Sequence, residues 1–292
     1  MSTIRIMAET IAGPDGDPLP GVITSMYDLQ KAGFTFLTGT LPQHITTLLH
    51  NEGIVIAGPE IEDVSEEYPV IEKDGNQLIL RMMDQTQGFD NWNELALRLI
   101  SPPRSGSVKR DTRETHISVE LNLDGSGQFS CQTGLGFFDH MLEQIARHGE
   151  IDLHILCDGD LHVDEHHTVE DVALALGTAL DQAFGDRRGI ERYGFVLPMD
   201  ESRATVALDL SGRPYLVFEA AFGRDKVGDL PTEMVKHFFY SLAMNLRATL
   251  HFEVKGENDH HMIEACFKGF AKCLKAAKLR TGYGIPSSKG VL

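Results

Sequence analysis

The chain has 292 residues, of which 42% are hydrophobic and 24% charged, so it can bury a substantial core and is not a disordered protein. Its 26 basic and 43 acidic side chains give a net charge of −17, which argues against a nucleic acid as partner. No run approaches the roughly eighteen apolar residues of a membrane span, and the first residues do not resemble a secretory signal. We therefore expect a cytoplasmic protein without membrane contact, whose four cysteines are reduced thiols.

The chain changes character at Ser101–Ser107, where Pro, Gly and Ser predict a linker. Of the thirteen histidines, only His44 and His50 precede this segment. Short stretches broken by Gly and Pro predict a small α/β-like accessory domain in residues 1–107. The chemistry is expected in a second domain, residues 108–292.

The second domain contains an internal repeat. The segment Phe137–Ala146 matches Met234–Ala243, 97 positions later, with apolar residues at the spacing of an amphipathic helix. His140 and His237 occupy the same place in the two segments. At an offset of 94, a second pair of helices matches in the same way, and each of these helices begins with two histidines.

Alternating apolar residues predict a strand upstream of these helices, around Val119 and again around Val206, 87 positions later. Each half is predicted as strand, strand, helix, strand, helix, over about residues 108–190 and 200–280. The expected fold class is therefore α+β, an internal duplication in which each half is a mixed sheet with two helices packed on one face.

The second pair of helices opens with His-His-x-x-Glu, a spacing that places a histidine and the glutamate on one helix face. Adjacent histidines point about 100° apart, so we expect each to serve a different ion. Imidazole and carboxylate ligands without a thiolate favour manganese, ahead of zinc, iron or cobalt. A chance gathering of surface histidines at helix starts does not account for two copies in register. The candidate metal ligands are His140, His166, His167, Glu170, His237, His260, His261 and Glu264.

Four segments closely resemble the imidazoleglycerol-phosphate dehydratases: Gly136–Leu142, Asp164–Asp171, Asp259–His261 and Pro286–Leu292. The resemblance covers residues 108–292 nearly end to end. It implies a lyase of histidine biosynthesis that removes water from imidazole glycerol phosphate to give imidazole acetol phosphate. It also implies two manganese ions (Mn2+) per site, the eight ligands above, and a homo-oligomer of 24 subunits with sites at subunit contacts.

The resemblance implies further site residues. Glu114 matches the glutamate that contacts substrate, and we expect acid–base catalysis from Glu114 and from Glu170 beside the metals. His140 and His166 are expected to contact substrate as well as metal. The phosphate group is expected to bind Arg192, Arg213, Ser287, Ser288 and Lys289.

The remaining arginine and histidine candidates are expected to have no role in the site. The Arg187-Arg188 pair is expected to be a solvated helix end, and His148 and His162 are expected to be structural or surface residues. His154 and His251 match each other in the repeat, which suggests a shared packing role.

Some members of the dehydratase family carry a histidinol-phosphate phosphatase of the haloacid-dehalogenase type in front. Residues Leu29–Thr38 are similar to part of that domain, a helix and then a strand ending in threonine. Its nucleophile is the first Asp of an Asp-x-Asp pair directly after a buried strand, whereas Asp15-Gly16-Asp17 lies between Pro14 and Pro18. We therefore expect a degenerate or unrelated domain.

Three other functions remain open from the sequence. The chain could be bifunctional, with histidinol-phosphate phosphatase activity in addition to dehydration. It could be a metal-dependent phosphate-ester hydrolase, since paired metals and arginines suit phosphate esters. It could also be a non-catalytic assembly protein whose histidines hold metal.

Overall fold

The computed structural model describes residues 2–57, 68–82, 85–282, 284–290 and 292. The chain forms two compact units, Met1–Pro102 and Pro103–Leu292. This boundary lies before the predicted one because Ser105–Ser107 begin the first strand of the second unit instead of ending a linker. Among the described residues, the helices are too short or too polar to cross a membrane.

In its described residues, the first unit has a five-stranded sheet, three α-helices and a short 3-10 helix, Ala8–Thr10. Its elements are β1 (Ser2–Ile6), α1 (Val22–Lys31), β2 (Phe34–Thr38), α2 (Gln43–Asn51), β3 (Val70–Asp74), β4 (Gln77–Met82), β5 (Gln85–Phe89) and α3 (Trp92–Ile100). The strand order is β2-β1-β3-β4-β5, and β1 pairs in parallel with both β2 and β3. The helix followed by a strand ending at Thr38 is present as predicted.

The Asp15-Gly16-Asp17 segment lies in a turn of this unit. The backbone N–H of Gly13 donates to the carbonyl of Asp17 (2.8 Å), and Ala12 and Pro18 form an isolated bridge that closes the turn. The segment therefore does not directly follow β1, which ends at Ile6.

The second unit consists of two halves, each with one four-stranded sheet and two helices in equivalent order. The first half contains β6 (Ser105–Asp111), β7 (Thr115–Asn122), β8 (Phe129–Gln132), α4 (Gly136–Gly149), β9 (Asp152–Gly159) and α5 (His166–Phe184). The second contains β10 (Tyr193–Met199), β11 (Ser202–Asp209), β12 (Tyr215–Glu219), β13 (Lys226–Val227), β14 (Leu230–Pro231), α6 (Thr232–Leu246), β15 (Thr249–Lys255) and α7 (Asp259–Ala277). The predicted α+β class is confirmed.

Both sheets of the second unit have one topology. Their strand orders are β6-β7-β9-β8 and β10-β11-β15-β12, with antiparallel pairs except for the last, parallel pair of each. The sequence predicted two strands before the first helix of each half, whereas the structure has three in each four-stranded sheet, and the second half adds the two-stranded hairpin β13–β14. The extra strands β8 and β12 have four and five residues, too short for a clear alternation of buried and exposed side chains.

The helices of the two halves pack against one another. Helix α5 packs on α6, and α4 on α7, while α5 also covers β6 and β7 and α7 covers β10 and β11. Gly177 allows the first of these contacts, because a Cβ there would lie 2.8 Å from the backbone oxygen of Leu242. One hydrophobic core runs through both halves.

Glu150 and Arg247, 97 positions apart, show how closely the halves correspond. Each follows the first helix of its half in the left-handed conformation, with φ of 50° and 53°. Both are residues that rarely adopt this region. The helices therefore end in the same way in both halves.

The Arg187-Arg188 prediction was wrong for its first member. Arg187 is 1% exposed, and its guanidinium donates to the carbonyl oxygens of Leu210 (3.3 Å), Leu246 (2.7 Å) and Arg247 (3.2 Å) and to Asp181. It joins the end of α5 to the end of α6 and the end of β11. Arg188 is exposed, as predicted.

The remaining unassigned histidines lie at or near the surface. His148 is partly buried and His162 is exposed. His154 and His251 are exposed on β9 and β15, so the expected shared packing role is not seen within the chain.

Candidate metal centre

The starts of three helices are held by polar side chains, which places the candidate ligands. The backbone N–H of His166 donates to Asp164 (2.7 Å) at the start of α5, and that of His260 donates to Asn258 (3.0 Å) at the start of α7. At the start of α4, the carboxylate of Asp229 from the other half accepts the first two backbone N–H groups (2.5 and 3.0 Å). These caps fix the first turns, from which the histidines project.

His166, Glu170 and His237 form the first cluster, and one ligand atom from each lies within 4.8 Å of the others. The Nε2 atoms of both histidines lie 3.2 Å from Oε2 of Glu170. The Nε2 of His237 is buried, and its contact with Glu170 lacks hydrogen-bond geometry, so this atom has no hydrogen-bond partner in the part of the chain described. Unpaired polar atoms in such positions are uncommon, and a metal ion would satisfy this one.

His140, His260 and Glu264 form a second, looser cluster. The Nε2 atoms of both histidines lie 3.8 Å from the carboxylate of Glu264. The ammonium of Lys268, one turn further along α7, lies 2.8 Å from the same carboxylate. The sequence interpretation missed Lys268, although its i+4 spacing from Glu264 could have indicated it.

Each cluster combines the two halves. Helix α5 of the first half supplies His166 and Glu170, and α6 of the second half supplies His237. Helix α7 of the second half supplies two ligands of the other cluster, and α4 of the first half supplies His140. The clusters thus depend on the packing of α5 on α6 and of α4 on α7.

His167 and His261 contact carboxylates outside these clusters. Their rings stand at 79° and 89° to those of His166 and His260. The Nδ1 of His167 lies 3.1 Å from both oxygens of Asp160, and hydrogen bonding to that carboxylate raises the pKa of His167. This orientation fits an ion separate from the first cluster, which stays a prediction.

The second half has a similar contact with a different carboxylate. The Nδ1 of His261 lies 2.8 Å from Oε2 of Glu201, which raises the pKa of His261. The hydrogen bond from His261 is the largest cause that lowers the pKa of Glu201 to about 2.

Glu114 and Glu201 occupy equivalent hairpins, β6–β7 and β10–β11. Glu114 lies beside His167, with its Oε1 3.9 Å from Nε2 of the ring. The sequence interpretation found Glu114 and missed Glu201 and Asp160. The offset of 87 that relates Val119 to Val206 also relates Glu114 to Glu201 and could have revealed it.

The predicted phosphate ligands lie elsewhere in the second unit. Arg192 binds both oxygens of Asp209 (2.5 and 3.0 Å) and donates to the carbonyl of Pro286 (2.9 Å). The backbone of Leu292 lies against Gly212, since a Cβ there would be 2.7 Å from its carbonyl carbon. The C-terminal segment therefore lies next to both predicted arginines, Arg192 and Arg213. It carries the other three predicted phosphate ligands, Ser287, Ser288 and Lys289. Arg213, Ser288 and Lys289 are exposed.

In one chain, the predicted phosphate-binding residues, which we call the phosphate end, lie far from the candidate metal ligands. Glu201 directly precedes β11 and Asp209 is its last residue, and the eight strand residues span about 27 Å. Along α7, the sixteen helical steps from His261 to Ala277 span about 24 Å. The backbone N–H of Arg192 donates to the carbonyl of Ala277 (3.1 Å), so α7 ends beside Arg192. The length of β11 and the length of α7 are therefore two estimates of the same separation.

Comparisons with known proteins identify the family of the chain. The imidazoleglycerol-phosphate dehydratase family model matches residues 133–274. The histidine biosynthesis bifunctional protein HisB of Stenotrophomonas maltophilia (strain R551-3) is 55% identical over 209 residues, which are 72% of this chain and 58% of that protein. The protein of the same name from Actinobacillus pleuropneumoniae serotype 3 (strain JL03) is 58% identical over 191 residues, 65% of this chain and 53% of that one. The chain thus spans less than two thirds of the length of these relatives.

Two solved structures are matched almost completely. Imidazoleglycerol-phosphate dehydratase from Staphylococcus aureus is 35% identical, with a TM-score of 0.54, over 61% of this chain and 99% of that chain. The enzyme from Pyrococcus furiosus, in complex with (S)-C348, is 33% identical, with a TM-score of 0.56, over 63% of this chain and 100% of that chain. On these matches, the chain belongs to the imidazoleglycerol-phosphate dehydratase family.

Proposed function

We propose that this chain dehydrates imidazole glycerol phosphate to imidazole acetol phosphate, with two manganese ions per site, in a homo-oligomer. The observation that carries the proposal is the pair of histidine–glutamate clusters built across the two halves. Imidazole and carboxylate donors without thiolate suit manganese.

The donor atoms fit an ion at each cluster. One ion would be held by the first cluster, His166, Glu170 and His237, together with His261 or His167 of a neighbouring copy. The second ion would be held by the second cluster in the same way. Bound metal would act as a Lewis acid on the imidazole ring and on a substrate oxygen. Glu170 lies between two ligand histidines, which favours a ligand role for it over proton transfer.

Proton transfer falls to Glu114 in this proposal. Its side chain is 51% exposed, and it lies beside Nε2 of His167, at the metal end of the unit. A carboxylate there can accept the proton that leaves carbon and return a proton to the departing hydroxyl.

The distance within one chain supports an assembly. A substrate made of one imidazole ring, three carbons and a phosphate is much shorter than the roughly 25 Å between the metal ligands and the arginines. The phosphate end of one copy would therefore complete the metal end of another. Arg213 and Lys289 would supply local positive charge for the phosphate on a chain whose net charge is strongly negative.

We propose no phosphatase activity for the first unit. The Asp15-Gly16-Asp17 segment lies in a turn that does not directly follow β1, so it lacks the rigid support of a nucleophilic aspartate. A bifunctional enzyme would release phosphate from histidinol phosphate, and Asp15→Asn would abolish that release.

The test is an assay of the purified full chain with imidazole glycerol phosphate, after metal removal and again after manganese is restored. We expect dehydration only with manganese, and a particle much larger than one chain in light scattering. Release of inorganic phosphate from the substrate would favour the hydrolase instead. Metal binding without turnover of any kind would favour the non-catalytic assembly protein.

A further inference from the structure

In each half, the second histidine of the His-His pair contacts a carboxylate, but the carboxylate comes from a different part of the fold. Asp160, which contacts His167, directly follows β9. Glu201, which contacts His261, lies in the β10–β11 hairpin. The counterpart of Asp160 by the offset of 97 is Glu257, which is exposed. The pairing of histidine and carboxylate is thus kept in both halves, while the source of the carboxylate has changed.

This difference leaves the two hairpin glutamates in unlike surroundings. Glu201 accepts three hydrogen bonds, from His261 (2.8 Å), from the hydroxyl of the next residue (3.0 Å) and from the backbone N–H of Asn258 (3.1 Å). Glu114 lies instead near the other nitrogen of its histidine, 3.9 Å from Nε2 of His167. Glu201 is held in place by its partners, whereas Glu114 faces the side of the ring that would meet an ion and substrate.

A carboxylate at Nδ1 fixes both the tautomer and the orientation of an imidazole. It keeps the ring proton on Nδ1, so that the lone pair on Nε2 is available to a metal ion. If Asp160 were absent, the nearest carboxylate to His167 would be Glu114, which would then have to perform the orienting role itself.

We propose that Asp160 is a positioning residue that holds His167 through Nδ1 and so leaves Glu114 available for proton transfer. Glu201 has the positioning role in the second half and is therefore not an acid–base residue, although it is the counterpart of Glu114. This inference rests on the proposed function, because it assumes that Nε2 of His167 and of His261 binds metal.

The first measurement is the affinity of the metal-free full chain for manganese, by equilibrium dialysis. Asp160→Asn and Glu201→Gln keep the size of each side chain and remove its charge, and each should weaken binding about 10- to 100-fold. The matched control is Asp158→Asn, an exposed carboxylate on β9 that should leave the affinity unchanged. Wild-type affinity in Asp160→Asn would overturn the positioning role.

The second measurement is turnover at saturating manganese, which separates the two glutamates. Glu114→Gln should keep the manganese affinity and lower kcat about 100- to 10,000-fold. Glu201→Gln should recover most of its kcat once manganese saturates the site. A Glu201→Gln enzyme that stays as slow as Glu114→Gln would refute the division of roles.

The same data distinguish this inference from the proposed function. A wild-type chain that binds manganese but does not dehydrate the substrate would refute the proposed function, while the affinities of the Asp160 and Glu201 variants would still test the positioning role. A wild-type chain without manganese affinity would overturn both.

Discussion

Arg187 offers a direct test of how the second unit is held together. Its guanidinium is almost completely buried and donates to three carbonyl oxygens and one carboxylate. Arg187→Met keeps most of the buried volume but leaves the three carbonyl oxygens without this donor. Asp181 stays paired with Arg247, which limits the damage on the acidic side. Removing one partner of a buried ionic network costs about 3–5 kcal/mol.

For a domain of this size, each kcal/mol shifts Tm by about 2–4 °C, so Arg187→Met should lower Tm by roughly 6–20 °C. Arg188→Met is the matched control, since its exposed pair with Asp186 should contribute less than about 1 kcal/mol. Differential scanning calorimetry at one protein concentration and one scan rate provides the comparison. Equal Tm values for the two variants would refute the assignment of Arg187 as a buried tie between α5, β11 and α6.

Four further predictions concern the metals, the phosphate end, the first unit and acid stability. His167→Ala and His261→Ala should each lower manganese content and dehydration together, and full occupancy by elemental analysis would contradict the ligand assignment. Arg213→Ala should lower kcat/KM by roughly 10- to 100-fold, mainly through KM, because a charged hydrogen bond contributes about 1.5–3 kcal/mol; a normal KM with a collapsed kcat would place this arginine in the chemical step. Residues 103–292 alone should fold, bind manganese and dehydrate substrate, which circular dichroism and the activity assay can check; a soluble but inactive fragment would show that the first unit is required. The hydrogen bond from Arg104 holds the pKa of Asp124 below its ordinary value of 3.8, so this pair stabilises the fold above that pH and loses the effect as the pH falls further. Asp124→Asn should therefore flatten the acid side of a plot of stability against pH, and an unchanged slope would contradict the pairing.

The repeat was readable from the sequence because its helices are long and strictly periodic. Residues such as Met141 and Phe238 recur at helical spacing, and burial of that face follows directly. The short strand β8 has only four residues and pairs at the sheet edge, so local alternation carries too little information to predict it. Arg187 was misread because a charged residue after a helix is usually solvated, and only the tertiary fold brings three carbonyl oxygens around it.

The candidate site was predictable to a similar extent. Candidate ligands such as His166 and Glu170 lie on one helix at a spacing that predicts a shared face. The orienting residue Asp160 lies after a strand, seven positions before His167, and no helical or strand period relates the two. Its role depends on how the end of β9 approaches the start of α5, which is a property of the fold.

The crossed clusters have a consequence for how such a chain could arise and be redesigned. A polypeptide that carried one half alone would own only part of each cluster, and could complete both only by pairing with a second copy of itself. In such a dimer the two clusters would be identical, and any mutation would alter both at once. Fusing the halves into one reading frame removes that constraint, so that Glu114 and Glu201 can be selected independently at equivalent positions.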